Sequence, residues 1–254
     1  MLTEERHKII LEQLSTNSAV YVSELVEMLN TSESTIRRDL NYLHKEGKLN
    51  KVHGGATLLE KDFNTQDDLV STRETLNVID KSIIAKYSAS LIKKGDFVYI
   101  DSGTTTNLII DFLKEKDAIY VTNGINQAKK LISNGFTTYI LGGEIKISTE
   151  AVVGVEAINN LKRYNFTKGF FGTNGISEYR GYTTPDIKEA LVKEEAIKRT
   201  RNPYILADQT KFNSISSITF GEIDEAVIIT TLLEDSSYYK KAEIVEVLKL
   251  WFIL

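Results

Sequence analysis

Residues 32–57 read SESTIRRDLNYLHKEGKLNKVHGGAT. Ser32 suits a helix N-cap, Gly47 suits a helix end, and the run between them has helical period. Ile36, Leu40 and Leu43 share one stripe, so they form the buried side. The opposite face holds Ser34, Arg38, Asn41 and Lys45, with Thr35 and Arg37 on its flanks. These forked and ammonium cations, amide and hydroxyls are the groups that bind phosphate oxygens and base edges in a DNA major groove. Short apolar alternation then runs into Gly54 and Gly55, the pattern of a small hairpin, which carries Lys48, Lys51 and His53 toward a flexible tip.

Working toward the N-terminus, residues 4–14 read as an amphipathic helix capped by Thr3, with Ile9, Ile10 and Leu14 on its stripe. A second helix opens at Ser23, carries Leu25, Met28 and Leu29, and stops near Asn30. Three short helices and a hairpin over 1–58 make a winged helix-turn-helix. Toward the C-terminus, EKDFNTQDDLVSTRETLN is polar and weakly periodic, so 59–77 is expected to be a linker.

From 78 to 254 the grain changes. A helix at 78–93 carries Ile79, Ile83, Tyr87 and Leu91, and β-like stretches then alternate with helical ones. This alternation predicts an α/β domain with a mostly parallel sheet covered by helices on both faces. Pro185 and Pro203 are expected at element starts. The ending IVEVLKLWFIL reads as a last strand and an apolar tail.

Composition limits what the chain does. A net charge of −4 argues against a generally basic nucleic-acid coat, yet residues 34–53 hold five Lys/Arg against two Asp/Glu. The positive charge is focused on the helix and hairpin. There is no cysteine, and all three histidines lie before residue 54. Disulfides and thiolate chemistry are excluded, and no metal site or cofactor is expected. The charged start lacks a signal-peptide core and no apolar run is long enough for a bilayer, so a soluble cytoplasmic protein without membrane partners is expected.

In the second domain, DSGTTT (101–106) follows the strand FVYI and opens a helix. Gly103 permits close backbone approach, and Thr104 to Thr106 sit where a helix N-terminus attracts an anion. TNG at 122–124 repeats the arrangement, adding Asn123 and Gly124, and GTNG at 172–175 supplies a third turn. Such loops converge beyond the carboxyl ends of a parallel sheet. Lys211 offers compensating positive charge, while Asp101, Asp186 and Asp208 are placed to accept hydrogen bonds from sugar hydroxyls. Neither GxGxxG nor GxxxxGK[ST] is present, so nucleotide binding by those routes is unsupported.

The run 32–57, together with DSGTTT, VTNG (121–124), LGGE (141–144), GTNGI (172–176), GYTTPD (181–186) and LADQTKF (206–212), resembles the DeoR family of transcriptional repressors. Within it, the LTEERHKII start and the FFGTNGI and TTPDIKEAL segments are most similar to fructose-operon repressors. The resemblance implies double-stranded operator DNA as partner, a sensor domain like the sugar-phosphate isomerases, and release by a phosphorylated sugar, with fructose 1-phosphate the leading candidate. It assigns phosphate to Ser102, Gly103, Thr104, Thr105 and Lys211, and sugar hydroxyls to Asp101, Asn123, Asn174, Thr183 and Asp186. Many members carry Asp-Lys ahead of the aromatic strand, where this chain has Thr167-Lys168. A homodimer or homotetramer is expected, because one helix-turn-helix reads too few base pairs. The alternatives are a sugar-phosphate isomerase or deaminase fused to a DNA reader, and a dual activator and repressor.

Overall fold

The computed structural model describes residues 2–17, 19–57, 61–64, 70–233 and 235–247. They form two compact units that divide between Lys61 and Asp62. The apolar tail expected after Val247 lies outside the described residues.

In the first unit the helices are Thr3–Asn17, Val22–Leu29 and Glu33–Lys45. Ser32 caps the third, its hydroxyl accepting the Thr35 amide at 3.3 Å, and Gly47 follows its end at φ 65°. Asn30, at φ 45°, ends the second helix in the left-handed region and makes the turn between the two. Ile10, Leu14, Leu25, Ile36, Leu40 and Leu43 bury together with Leu49 and Ala56 from the hairpin. Each of these Ile and Leu side chains contributes about 1.5–3 kcal/mol of apolar burial. Met28, expected on the buried stripe, is 50% exposed; Val22 and Leu29 take the inward positions on that helix.

The hairpin strands are Asn50–Val52 and Gly55–Thr57, joined by a turn with Gly54 at φ 82°. Gly55–Thr57 also pairs antiparallel with Ala19–Tyr21, which gives a three-stranded sheet. The sequence pattern missed this strand, because three residues are too few to show a period. Pairing with it also decides Gly55: an added Cβ would lie 2.1 Å from the Val20 carbonyl oxygen.

The connection expected over 59–77 includes a strand, Lys61–Asn64, and a short helix, Val70–Thr75. Beyond it lies a seven-stranded sheet with every pair parallel. Its order is 244–246, 227–230, 200–206, 166–172, 97–100, 119–122, 137–140. Chain progression reverses between 97–100 and 166–172, so the sheet is doubly wound with its switch point there.

Alternate residues of each strand enter opposite cores: Tyr99, Phe171, Ile205 and Ile228 on one side, Val98, Ile100, Phe170, Leu206 and Ile229 on the other. Helices Val78–Ser90, Thr104–Phe112 and Ile125–Ser133 cover the second face, and Val155–Leu161 and Ile187–Lys198 the first. On Val78–Ser90 the inward residues are Ile83, Ile84 and Ala85, whereas Ile79, expected to be buried, is 69% exposed. Pro203 is inside strand Thr200–Leu206, not at an element start. Pairing with 227–230 begins only at Tyr204, so the missing N–H costs no bond on that side. A small antiparallel sheet, Gly175–Ser177, Gly181–Thr184 and Ile218–Gly221, follows the strand 166–172.

Candidate functional site

The helix Glu33–Lys45 turns Ile36, Leu40 and Leu43 inward and leaves Ser34, Arg37, Arg38, Asn41 and Lys45 exposed, with Thr35 half-buried. Lys48 and His53 are exposed on the hairpin side, and Lys51 is half-buried. The two arginines differ. Arg37 donates to the Glu33 carboxylate at 2.8 and 2.6 Å, whereas Arg38 has no partner among the described residues.

Two histidines brace this surface. His44 Nδ1 lies 3.1 Å from the Leu49 carbonyl oxygen and 3.3 Å from the Lys51 amide, tying the helix to the hairpin. His7 Nε2 lies 3.0 Å from Asp39 and stacks on Tyr42. Asp39, on the buried side of the helix, also accepts Arg6 at 2.5 and 3.0 Å. Burial by itself raises the Asp39 carboxyl, but the hydrogen bonds from Arg6 and His7 outweigh it and hold Asp39 below the usual range.

In the second unit a cavity opens beyond the carboxyl ends of strands 97–100, 166–172 and 200–206, at the switch point of the sheet. Ser102, Gly103, Thr104 and Thr105 form one side, with the backbone entering helix Thr104–Phe112. Gly172, Thr173 and Asn174 form another. Arg73, Lys81, Lys193 and Lys211 bring four cations to this space, against Glu189 and Asp208. Lys81 is only 4% exposed; it donates to the Arg73 carbonyl oxygen at 2.5 Å and to Thr104 Oγ1 at 3.3 Å. Burial lowers the Lys81 ammonium, Asp208 opposes that, and Lys211 and Arg73 lower it further. An anion in such a space would offset the repulsion among its cations.

Of the residues the sequence pointed to, Ser102, Gly103, Thr104, Thr105, Asn174 and Lys211 line the cavity together with Asp208. The others do not. Asp101 is fully buried beneath it, where its Oδ2 accepts the Lys193 ammonium and the Gly172 amide, the latter at 3.0 Å. It holds the turn through Oδ2, while its Oδ1 is buried without a hydrogen-bond partner, and Asp101 does not line the cavity. Asn123 lies behind Ser102, donating to Ser102 Oγ at 3.5 Å and to the Val152 carbonyl at 3.3 Å. Gly124 is a packing position, since an added Cβ would lie 1.9 Å from Gln127 Oε1. In the helix it begins, the Ile125 amide donates to the Glu150 carbonyl oxygen at 3.1 Å. Thr183 is buried and accepts the Ser216 amide at 2.8 Å. Asp186 caps helix Ile187–Lys198, accepting the Glu189 amide at 2.9 Å, and pairs with Lys146 at 3.3 Å. At the Thr167-Lys168 departure, both side chains reach Asp96, at 2.8 and 2.6 Å, so an acid from the neighbouring strand's entry supplies the partner.

A model of the DeoR-like helix-turn-helix domain matches residues 6–62, and one of the DeoR C terminal sensor domain matches 76–232. The chain belongs to the DeoR family. This DeoR-family chain is 43% identical to the protein described as "Uncharacterized HTH-type transcriptional regulator FruR" of Bacillus subtilis (strain 168), over 98% of this chain and 100% of that one. It is 31% identical to the lactose phosphotransferase system repressor of Staphylococcus aureus (strain NCTC 8325 / PS 47), over 92% and 94%. Among solved structures, ribose 5-phosphate isomerase A of Methanocaldococcus jannaschii overlaps 52% of this chain and 53% of its own, at TM-score 0.38 and 13% identity. That overlap is too slight to carry an argument.

Sequence reasoning missed Arg73, Lys81, Thr149, Lys193 and Glu189 in the cavity of this DeoR-family sensor unit. Two of them left a signal. Lys81 falls on the same helical face as Ala85 and Ser88, and Lys193 on that of Ala190 and Ile197, all of them buried. A lysine on the apolar side of a helix needs a buried acceptor, and both have one. Arg73 lay in a segment read as linker. Glu189 and Thr149 meet only in the fold, Thr149 Oγ1 donating to Glu189 at 2.5 Å.

Proposed function

We propose that this DeoR-family regulator is a cytoplasmic repressor of a sugar-utilisation operon, released from operator DNA by a phosphorylated sugar. The observation that carries the reading is that Lys81, which donates to Thr104, shares the switch-point cavity with Arg73 and Lys211, both close enough to act on its charge. A phosphate monoester brings close to two negative charges and three acceptor oxygens, which these donors and the helix N-terminus suit. Asn174 and Thr149, also in the lining, are the groups we assign to sugar hydroxyls. The relative named for lactose phosphotransferase repression favours a sugar effector, and the likeness to fructose-operon repressors makes fructose 1-phosphate our first candidate.

Operator contact is assigned to Ser34, Thr35, Arg37, Arg38, Asn41, Lys45, Lys48, Lys51 and His53. We infer a homodimer or homotetramer, since paired readers bind half-sites about 34 Å apart. Turnover of the sugar phosphate is disfavoured: Glu189 is engaged by Thr149 and Lys146, and Asp208 by Thr210, so the lining carboxylates serve as acceptors already. The test is operator affinity measured with and without a panel of sugar phosphates. Weakening by at least one phosphorylated sugar, with no product formed, is expected; indifference to all of them defeats the reading.

A further inference from the structure

The cavity has a wall that belongs to the connecting segment. Among the described residues, helix Val70–Thr75 is the first helix after the DNA-reading unit, and Arg73, Leu76 and Asn77 all line the cavity. Arg73 contributes in two ways. Its carbonyl oxygen accepts from the buried Lys81 ammonium, and its guanidinium Nε is shut from solvent with no hydrogen-bond partner. A buried guanidinium N–H without a partner costs free energy that a seated acceptor removes. Lys81, from the following helix, bridges Arg73 to Thr104 at the start of the anion-attracting turn. Its ammonium has three N–H donors, and these two bonds use two of them.

Resting on the effector reading above, we propose that Arg73 and Lys81 make residues 70–81 the effector-responsive wall of the cavity. An anion seated at Thr104 and Thr105 takes the third N–H of Lys81 and the guanidinium of Arg73. Both bonds fasten helix 70–75 to the sensor sheet, so occupancy is read out first in the segment that leads to the DNA reader. Arg73, Lys81 and Lys211 also gain, because attraction to the anion offsets the repulsion that Arg73 and Lys211 exert on Lys81. The connecting segment is then a part of the receptor and not a passive tether.

Hydrogen–deuterium exchange on the full-length protein tests this, with fructose 1-phosphate and other sugar phosphates as probes, inorganic phosphate as the anion-only probe, and melting temperature read in parallel. The expected result is that a probe which raises the melting temperature also slows exchange across 70–81. Arg73→Ala removes a charge-assisted contact and is expected to weaken that probe by roughly tenfold or more and to lose the protection, while the ligand-free melting temperature holds. Lys81→Met, which keeps the buried stem, is expected to lose the protection as well. A probe that stabilises the wild-type protein yet leaves 70–81 unchanged, or binds Arg73→Ala with wild-type affinity, overturns the wall and spares the effector reading. Absence of stabilisation by every sugar phosphate overturns both.

Discussion

Arg37 and Arg38 are adjacent, equally charged and differently employed. Arg37 shares its guanidinium with Glu33, which offsets part of its charge, whereas Arg38 has no protein partner among the described residues. Arg38→Ala is therefore expected to cost about 1–3 kcal/mol of operator binding with an unchanged melting point, measured by titration of labelled operator. Glu33→Gln, which frees Arg37, is expected to tighten binding. On the sensor side, Lys211→Ala is expected to weaken the sugar phosphate by about 1.5–3 kcal/mol while leaving operator affinity without ligand unchanged. Loss of DNA binding in that variant would make Lys211 structural. These residues were legible because exposed cations on a patterned helix, or a Lys in a short loop, announce themselves. The burial of Asp101 was not legible, because nothing local in DSGTTT says that Lys193, ninety-two residues on, pairs with its Oδ2.

The recognition helix was legible as an element, since Ser32, the Ile36, Leu40 and Leu43 stripe and Gly47 are all local signals. Its anchorage was not. Asp39 reads as one more helix charge until the first helix packs beside it and delivers Arg6 and His7. That anchorage makes an acid-sensitive prediction. The folded-state carboxyl of Asp39 sits below its ordinary value of 3.8, so the unfolded state binds its proton first as pH falls. The stabilisation is present in full above that ordinary value and is lost as pH drops through the lower folded one. Urea unfolding of the wild type and of Asp39→Asn, followed by helix circular dichroism from about pH 6 to pH 3, is expected to show a shallower acid loss in the variant. Parallel curves would remove Asp39 from the account. The short strand Ala19–Tyr21 escaped for the converse reason, being specified by its pairing with Gly55–Thr57 and not by its own pattern.

For the whole molecule, strand and helix alternation was enough to call for a parallel sheet with both faces covered, because each strand is apolar on both sides. The strand order was not, since which strand lies beside which is set by helices crossing over, and only that order brings Ser102 and Asn174 to one cavity. The function proposed for the chain places a DNA reader and a sugar-phosphate cavity on one polypeptide, and equilibrium linkage then constrains both. If the sugar phosphate weakens the operator by some factor, the operator must weaken the sugar phosphate by the same factor, with a coupling of about 1–3 kcal/mol in typical cases. Calorimetric titration of the ligand into protein alone and into the protein–operator complex, at one salt concentration because phosphate contacts are salt-dependent, gives one side. Operator titration at saturating ligand gives the other. Equal factors are expected, and they should shrink together in Arg73→Ala, since a variant that loses the reporting wall loses the coupling from both ends. Coupling factors that stay at the wild-type value in Arg73→Ala would place the communication outside residues 70–81.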